Sequence, residues 1–141
     1  MSTELRTPED YELFIYSLRD QFPMIESSTL VFVRRGATLA RVSGELYFGH
    51  ELKLVVRQRL VYDRLPVIID DYGYGAWHGH EKIYWYDAQP HPDDKALQIT
   101  HPHHKHVPPD IKHNRVPAPD MSFTRPNLPV LIREIERQNV L

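Results

Sequence analysis

Apolar positions change period twice along this chain. Tyr11, Phe14, Ile15, Leu18 and Phe22 recur at helical spacing and predict one buried stripe. Thr7-Pro8-Glu9-Asp10 reads as the start of that helix: a threonine N-cap, proline in the first turn, then two carboxylates where the helix dipole favours them. Pro23 ends it. From Thr29 the period becomes two. TLVFV reads as a short strand, RRGA as a turn, and Leu39 to Phe48 alternates, with Ala40, Val42, Leu46 and Phe48 on one side and Arg41, Ser43, Glu45 and Tyr47 on the other. Gly49-His50 turns the chain into ELKLVVRQRLVY, where Leu52, Leu54, Val56 and Leu60 share one face and Lys53, Arg57 and Arg59 the opposite one. Pro66 interrupts the pattern before VIIDDYGYGAW, and HGHE turns into KIYWYD.

Beyond Asp87 the pattern loses its period, because nine of the twelve prolines lie between Pro90 and Pro129. Proline removes backbone donors and pushes the preceding residue toward extended geometry, so a long irregular segment is expected. Leu97, Ile99, Val107, Ile111, Val116, Met121 and Phe123 punctuate it and favour an ordered loop over disorder. Asn127 is expected to cap a last helix with Leu128, Leu131, Ile132 and Ile135 as its stripe. The fold class is therefore α+β: an antiparallel meander of about five strands with an N-terminal and a C-terminal helix and a long His/Pro-rich loop. The expected layout is a single domain over 1–141, with helix 1–23, sheet 29–87, loop 88–126 and closing helix 127–141.

Composition narrows the chemistry. The chain has 141 residues, no cysteine and a formal net charge of -2, so disulfides and thiolate metal sites are excluded. Neither a leader-like apolar run nor a membrane-length apolar stretch is visible, and the cytoplasm is the expected location, with no membrane contact. The net charge hides a local imbalance. Between His101 and Arg125, Lys105, Lys112, Arg115 and Arg125 face only Asp110 and Asp120, so a polyanion partner would meet this segment first.

HPHHKHVPPDIKHNR, His101 to Arg115, holds five histidines and admits three kinds of chemistry. His101, His103, His104 and His106 with Asp110 offer ligands to a metal, although they sit on one proline-stiffened stretch and include no thiolate. Alternatively, His103, His104 and His106 with Lys105 and Arg115 satisfy what RNA cleavage through the 2′-hydroxyl needs without a metal: a base, an acid, and cations for the charge gathering on phosphate. If the run is extended, His101, His103 and Lys105 point one way and His104 and His106 the other. The third chemistry is binding without turnover. Lys53, Arg57 and Arg59, with Lys112 and His113, would contact RNA phosphates, and Tyr72, Tyr74, Trp77, Tyr84, Trp85 and Tyr86 would stack bases, unless those aromatics are core. Asp70-Asp71 is a weak magnesium candidate, since adjacent strand residues point to opposite faces. His78 and His80 read as exposed turn residues. No cofactor is expected.

Tyr86-Asp87 closing a hairpin region, then Pro90-His91, then PHHKH from Pro102 to His106, resembles the TumE-type toxins of prokaryotic toxin–antitoxin pairs. The likeness runs from about Leu39 to His106, with the closing helix in a compatible place. This chain has Phe48-Gly49-His50-Glu51 where the family usually reads as an Asp-Gly-Ser turn, and it carries a longer segment after the histidines. The resemblance implies a cytoplasmic toxin with a cognate antitoxin as partner, and it carries no catalytic residues across. RNA as a second partner follows from the residues, and from the analogy that many such toxins cut RNA. A homodimer is compatible with the sequence.

Overall fold

A computed structural model describes residues 3–88 and 103–140, the side chains of 139 and 140 excepted. Thr7 caps helix α1 (Pro8–Tyr16) as its sequence implies, its Oγ1 accepting from the Asp10 backbone N–H at 3.1 Å. The helix does not run on to Phe22. At Ser17 the hydroxyl donates to the Leu13 carbonyl at 2.7 Å, competing with the helical ladder, and the chain restarts as the single turn α2 (Leu18–Gln21). The stripe survives the break: Tyr11, Phe14, Ile15, Leu18 and Phe22 are all buried.

Eight strands form one antiparallel sheet among the described residues. They are β1 (Ser27–Ser28), β2 (Val31–Arg34), β3 (Leu39–Tyr47), β4 (Leu52–Val61), β5 (Ile68–His78), β6 (Glu81–Asp87), β7 (His104–His106) and β8 (Arg115–Pro117). The order is β1-β3-β4-β5-β6-β7-β8, with β2 beside β1 along the same side of β3. The five expected strands are β2 to β6. Gly44 of β3 lies against the link from β1 to β2: its φ is +140°, and a Cβ there would lie 2.6 Å from the Thr29 carbonyl oxygen. Only glycine fits so close an approach.

Two strands lie inside the segment expected to be irregular. β7 and β8 are three residues each, short enough to fit between prolines, and Pro117 falls on the edge strand, where a missing N–H costs no ladder bond. The expected loop residues 89–102 lie outside the described residues. Helix α3 (Leu128–Val140) closes the chain. Asn127 precedes it, but its side chain does not serve as the expected cap: Oδ1 accepts from Ser122 N–H, and Nδ2 donates to the Ser122 carbonyl and to Tyr74 Oη.

The helices pack on one face of the sheet. Tyr11 Oη donates to Gln58 Oε1 at 2.7 Å and Gln58 Nε2 donates to Tyr74 Oη at 2.6 Å, joining α1 to β4 and β5 through a fully buried relay. Ala40, Val42, Leu46, Leu54, Val56, Leu60, Tyr72 and Tyr74 point to the same side and meet Leu131, Ile132 and Ile135 of α3 in the core. The opposite face carries the alternate residues of every strand, and no helix among the described residues packs on it. No helix among the described residues is long and apolar enough to cross a membrane.

Candidate active site on the open sheet face

Register places the open-face side chains in rows that cross the strands. One row runs Arg57, Gly73, Asp87, His104 from β4 to β7; the next runs Val55, Gly75, Trp85, His106, ending on Arg115 of β8. Gly73 and Gly75 put no side chain in the middle of either row. A trough of about 360 Å³ results, lined by Val55, Arg57, Gly73, Gly75, Trp77, Lys82, Trp85 and Asp87.

The wall on the β6 side is built by Trp85, Asp87 and His106. Trp85 stacks on His106 with 3.7 Å between ring centroids and 7° between planes. His106 Nδ1 lies 3.1 Å from the Ile111 carbonyl, an acceptor only, so Nδ1 carries a hydrogen. Its Nε2 lies 3.3 Å from Asp87 Oδ2. That second contact is a hydrogen bond when a proton lies between ring and carboxyl, a proton that the buried ring holds less readily than a free imidazole does. Both side chains are buried, 1% and 5% exposed. Burial holds His106 below its usual titration range, with Asp87 pulling the other way. Asp87 Oδ1 is buried and has no hydrogen-bond partner among the described residues. A carboxylate oxygen in that position costs free energy until a donor reaches it.

Cations surround the trough. Lys82 Nζ lies 4.6 Å from the Trp85 ring centroid and 5.8 Å from that of Trp77, and burial lowers its pKa against the raising influence of Asp87. Arg57 lies across Gly73, where a Cβ would meet its Nη2 at 2.8 Å. Lys53, Arg57 and Arg59 share this face, as their alternation implies, but each is already paired. Lys53 reaches Glu45 at 3.8 Å, Arg57 reaches Asp71 at 2.9 Å, and Arg59 forks onto Asp70 at 2.8 and 2.9 Å. Asp70 and Asp71 therefore do not diverge. A bulge opposite Arg59 breaks the alternation and brings both carboxylates to the β4 arginines.

The histidine run splits across the sheet. His104 and His106 are buried on the open-face side next to Asp87 and Trp85, and Arg115 follows His106 in register. His103 and Lys105 lie on the helix side. Tyr72 Oη and His103 Nδ1 share a hydrogen bond at 2.6 Å, and Lys105 Nζ donates to Glu134 Oε2 of α3 at 2.8 Å while lying 4.4 Å from the Tyr84 ring centroid. The pleat thus separates these two from His104 and His106 by the thickness of the sheet. Lys112 and His113 are exposed on the β7–β8 connection, His113 paired with Asp110 at 3.0 Å. His101 lies outside the described residues. Among the described residues no three histidine or carboxylate side chains converge as a metal-ligand set. Of the six aromatics offered for stacking, Tyr72, Tyr74, Tyr84 and Tyr86 are core, whereas Trp77 and Trp85 line the trough.

Sequence reasoning assigned no chemistry to Asp87, Lys82, Gly73 or Gly75. The signal was present in YGYGAW: alternate glycines on a strand clear one face of side chains, while the tyrosines between them fill the other.

A family model described as Toxin TumE matches residues 15–139, from the end of α1 through the sheet into α3. No curated protein and no solved structure matches the chain. Most of the fold, including the open face and the seam between β6 and β7, lies within that match, and the chain belongs to the TumE toxin family, the toxin half of a toxin–antitoxin pair with a cognate antitoxin as its partner.

Proposed function

We propose that this toxin is a metal-independent ribonuclease whose scissile phosphate lies over the trough of the open face. The observation that carries the reading is Asp87 Oδ1: a buried carboxylate oxygen without a donor among the described residues, backed by an imidazole and bordering a trough walled by indoles and cations. A 2′-hydroxyl entering through the trough supplies the missing donor. Asp87 takes its proton, the 2′-oxygen attacks phosphorus, and the bond to the 5′-oxygen breaks. Lys82, whose pKa burial lowers, gives the leaving oxygen a proton. Arg57 faces the charge gathering on the phosphate oxygens. The products are a 2′,3′-cyclic phosphate and a free 5′-hydroxyl. His106 is a positioning residue in this scheme, since it holds Oδ2 and touches no substrate. His104 packs beside it. Arg115, Lys53 and Arg59 extend the cationic border along which RNA would run, with Lys112 and His113 at its outer end.

Purified toxin incubated with RNA in chelator, with the product ends identified, tests this. Asp87→Asn and Lys82→Met should each lower cleavage by about 10²- to 10⁴-fold without changing the far-ultraviolet circular dichroism. Cleavage by Asp87→Asn within a few-fold of the natural protein removes the carboxylate from the chemistry. A binding-only reading draws on one observation, that both open-face imidazoles are buried and the β4 cations are already paired. Intact RNA together with undiminished toxicity of Asp87→Asn would decide for it.

A further inference from the structure

Neighbouring strands lie about 4.8 Å apart, so the side chains of β4 and β6 that flank β5 stand roughly 10 Å from each other. Gly73 and Gly75 put no side chain of their own into that gap; Arg57 leans over Gly73, and Lys82 and Trp77 border the space above Gly75. The volume, about 360 Å³, falls at the small end of the roughly 300 to 1,000 Å³ usual for small-ligand sites. Its lining calls for three properties at once. The indoles and Val55 suit a flat ring, Arg57 and Lys82 suit an anion, and Asp87 Oδ1 needs an N–H or O–H donor. One nucleotide of RNA has all three.

Shape limits which RNA. In a duplex the base faces are stacked and their edges paired, and its grooves are entered by protein elements that protrude. Here the protein is recessed, so the ligand must protrude instead. We propose, on the basis of the ribonuclease reading, that the trough seats one unpaired base, which makes the substrate class single-stranded or looped RNA. The base stacks on the trough-side face of Trp85, whose other face His106 already covers at 3.7 Å. Lys82 Nζ, 4.6 Å above that ring, occupies the place of the base and swings to the phosphate when the base enters.

The chain has two tryptophans, and both line the trough. Intrinsic fluorescence therefore reports on this site. The full-length toxin is titrated with an unpaired oligoribonucleotide and with the same strand annealed to its complement, using the natural protein, Asp87→Asn and Gly75→Val. A valine at position 75 meets Lys82 Cε at 3.2 Å and Trp77 Nε1 at 3.3 Å, both side-chain atoms, so β5 keeps its pairing while the trough fills. Circular dichroism checks that it does. The single strand should quench the fluorescence, the duplex should bind at least about tenfold more weakly, and Gly75→Val should lose roughly 5- to 150-fold in affinity, the loss expected for one base–aromatic stack. Asp87→Asn should still be quenched by the single strand while cleaving about 10²- to 10⁴-fold more slowly. Equal binding of duplex and single strand, or natural affinity in folded Gly75→Val, overturns the base subsite. Cleavage of both RNA forms without a fluorescence change sinks the subsite and leaves the ribonuclease standing, whereas quenching without cleavage by the natural protein upholds the subsite and sinks the ribonuclease.

Discussion

Lys105→Met removes an ammonium that the fold uses from the helix side. The group donates to Glu134 Oε2 at 2.8 Å and lies 4.4 and 5.2 Å from the ring centroids of Tyr84 and Tyr86. Glu134 also accepts from Tyr86 Oη at 2.8 Å. The two charged side chains are 22% and 17% exposed, so solvent screens them only in part. A hydrogen bond between charged groups contributes about 1.5 to 3 kcal/mol, and a cation over an aromatic face adds about 0.5 to 2 kcal/mol. Methionine keeps the packing of the stem. Because these contributions overlap, the expected loss is about 2 to 4 kcal/mol, less than the roughly 5 to 15 kcal/mol that holds a domain together. Glu134→Gln should cost less, about 1 to 2 kcal/mol, since its amide oxygen still accepts from Tyr86. Urea unfolding of both single variants and the double variant gives the coupling, expected at about 1 to 3 kcal/mol. Growth arrest on induction gives the other half of the test, and Lys105→Met should still arrest cells. Unchanged stability, within about 0.5 kcal/mol, together with lost toxicity would refute the reasoning and return Lys105 to the substrate.

Three further outcomes follow from the same geometry. His106 titrates below its unfolded value near 6.5, so the folded state binds fewer protons, and stability should be complete above about pH 6.5 and fall on acidification, by at most about 1.4 kcal/mol per pH unit; urea midpoints between pH 8 and pH 5 should show this slope in the natural protein and not in His106→Gln. Gly44→Ala should cost roughly 1 to 3 kcal/mol, because the Cβ would press on the Thr29 carbonyl in a backbone region foreign to alanine, and an unchanged melting temperature would contradict it. Asp71→Asn should leave stability within about 1 kcal/mol, as for exposed pairs, yet tighten RNA binding and steepen its salt dependence by releasing Arg57; an unaltered salt slope would mean that Arg57 does not meet phosphate.

Period alone located most of the scaffold. The stripe from Tyr11 to Phe22, the alternation of β3 and β4 and the closing stripe of α3 each report a single choice, buried or not, and burial is what periodicity encodes. The break at Ser17 was hidden because it turns on one hydroxyl choosing the Leu13 carbonyl, a contact without periodic trace. β7 and β8 were hidden by length: three residues between prolines cannot display a period, and their strand character comes from pairing with β6 and with each other. The bulge at Asp70-Asp71 likewise depends on the partner strand.

The site was half legible for a related reason. Histidine density drew attention to residues 101–106, and two of those histidines do reach the open face. Once the tract is a strand, however, its own alternation forbids it from being one constellation, and the residues that join His104 and His106 come from across the ladder. Asp87 meets His104 by register and His106 by hydrogen bond, and neither relation exists until β7 docks on β6. The docking is secured from the far side, by His103 on Tyr72 and Lys105 on Glu134. The His103-Lys105 pair and the His104-His106 pair thus divide one task between two faces: the first fixes the strand, and the second presents the carboxylate to the trough. The glycines of β5 complete the arrangement by having no side chain, which makes their contribution visible only as gaps in two rows, Gly73 between Arg57 and Asp87 and Gly75 between Val55 and Trp85.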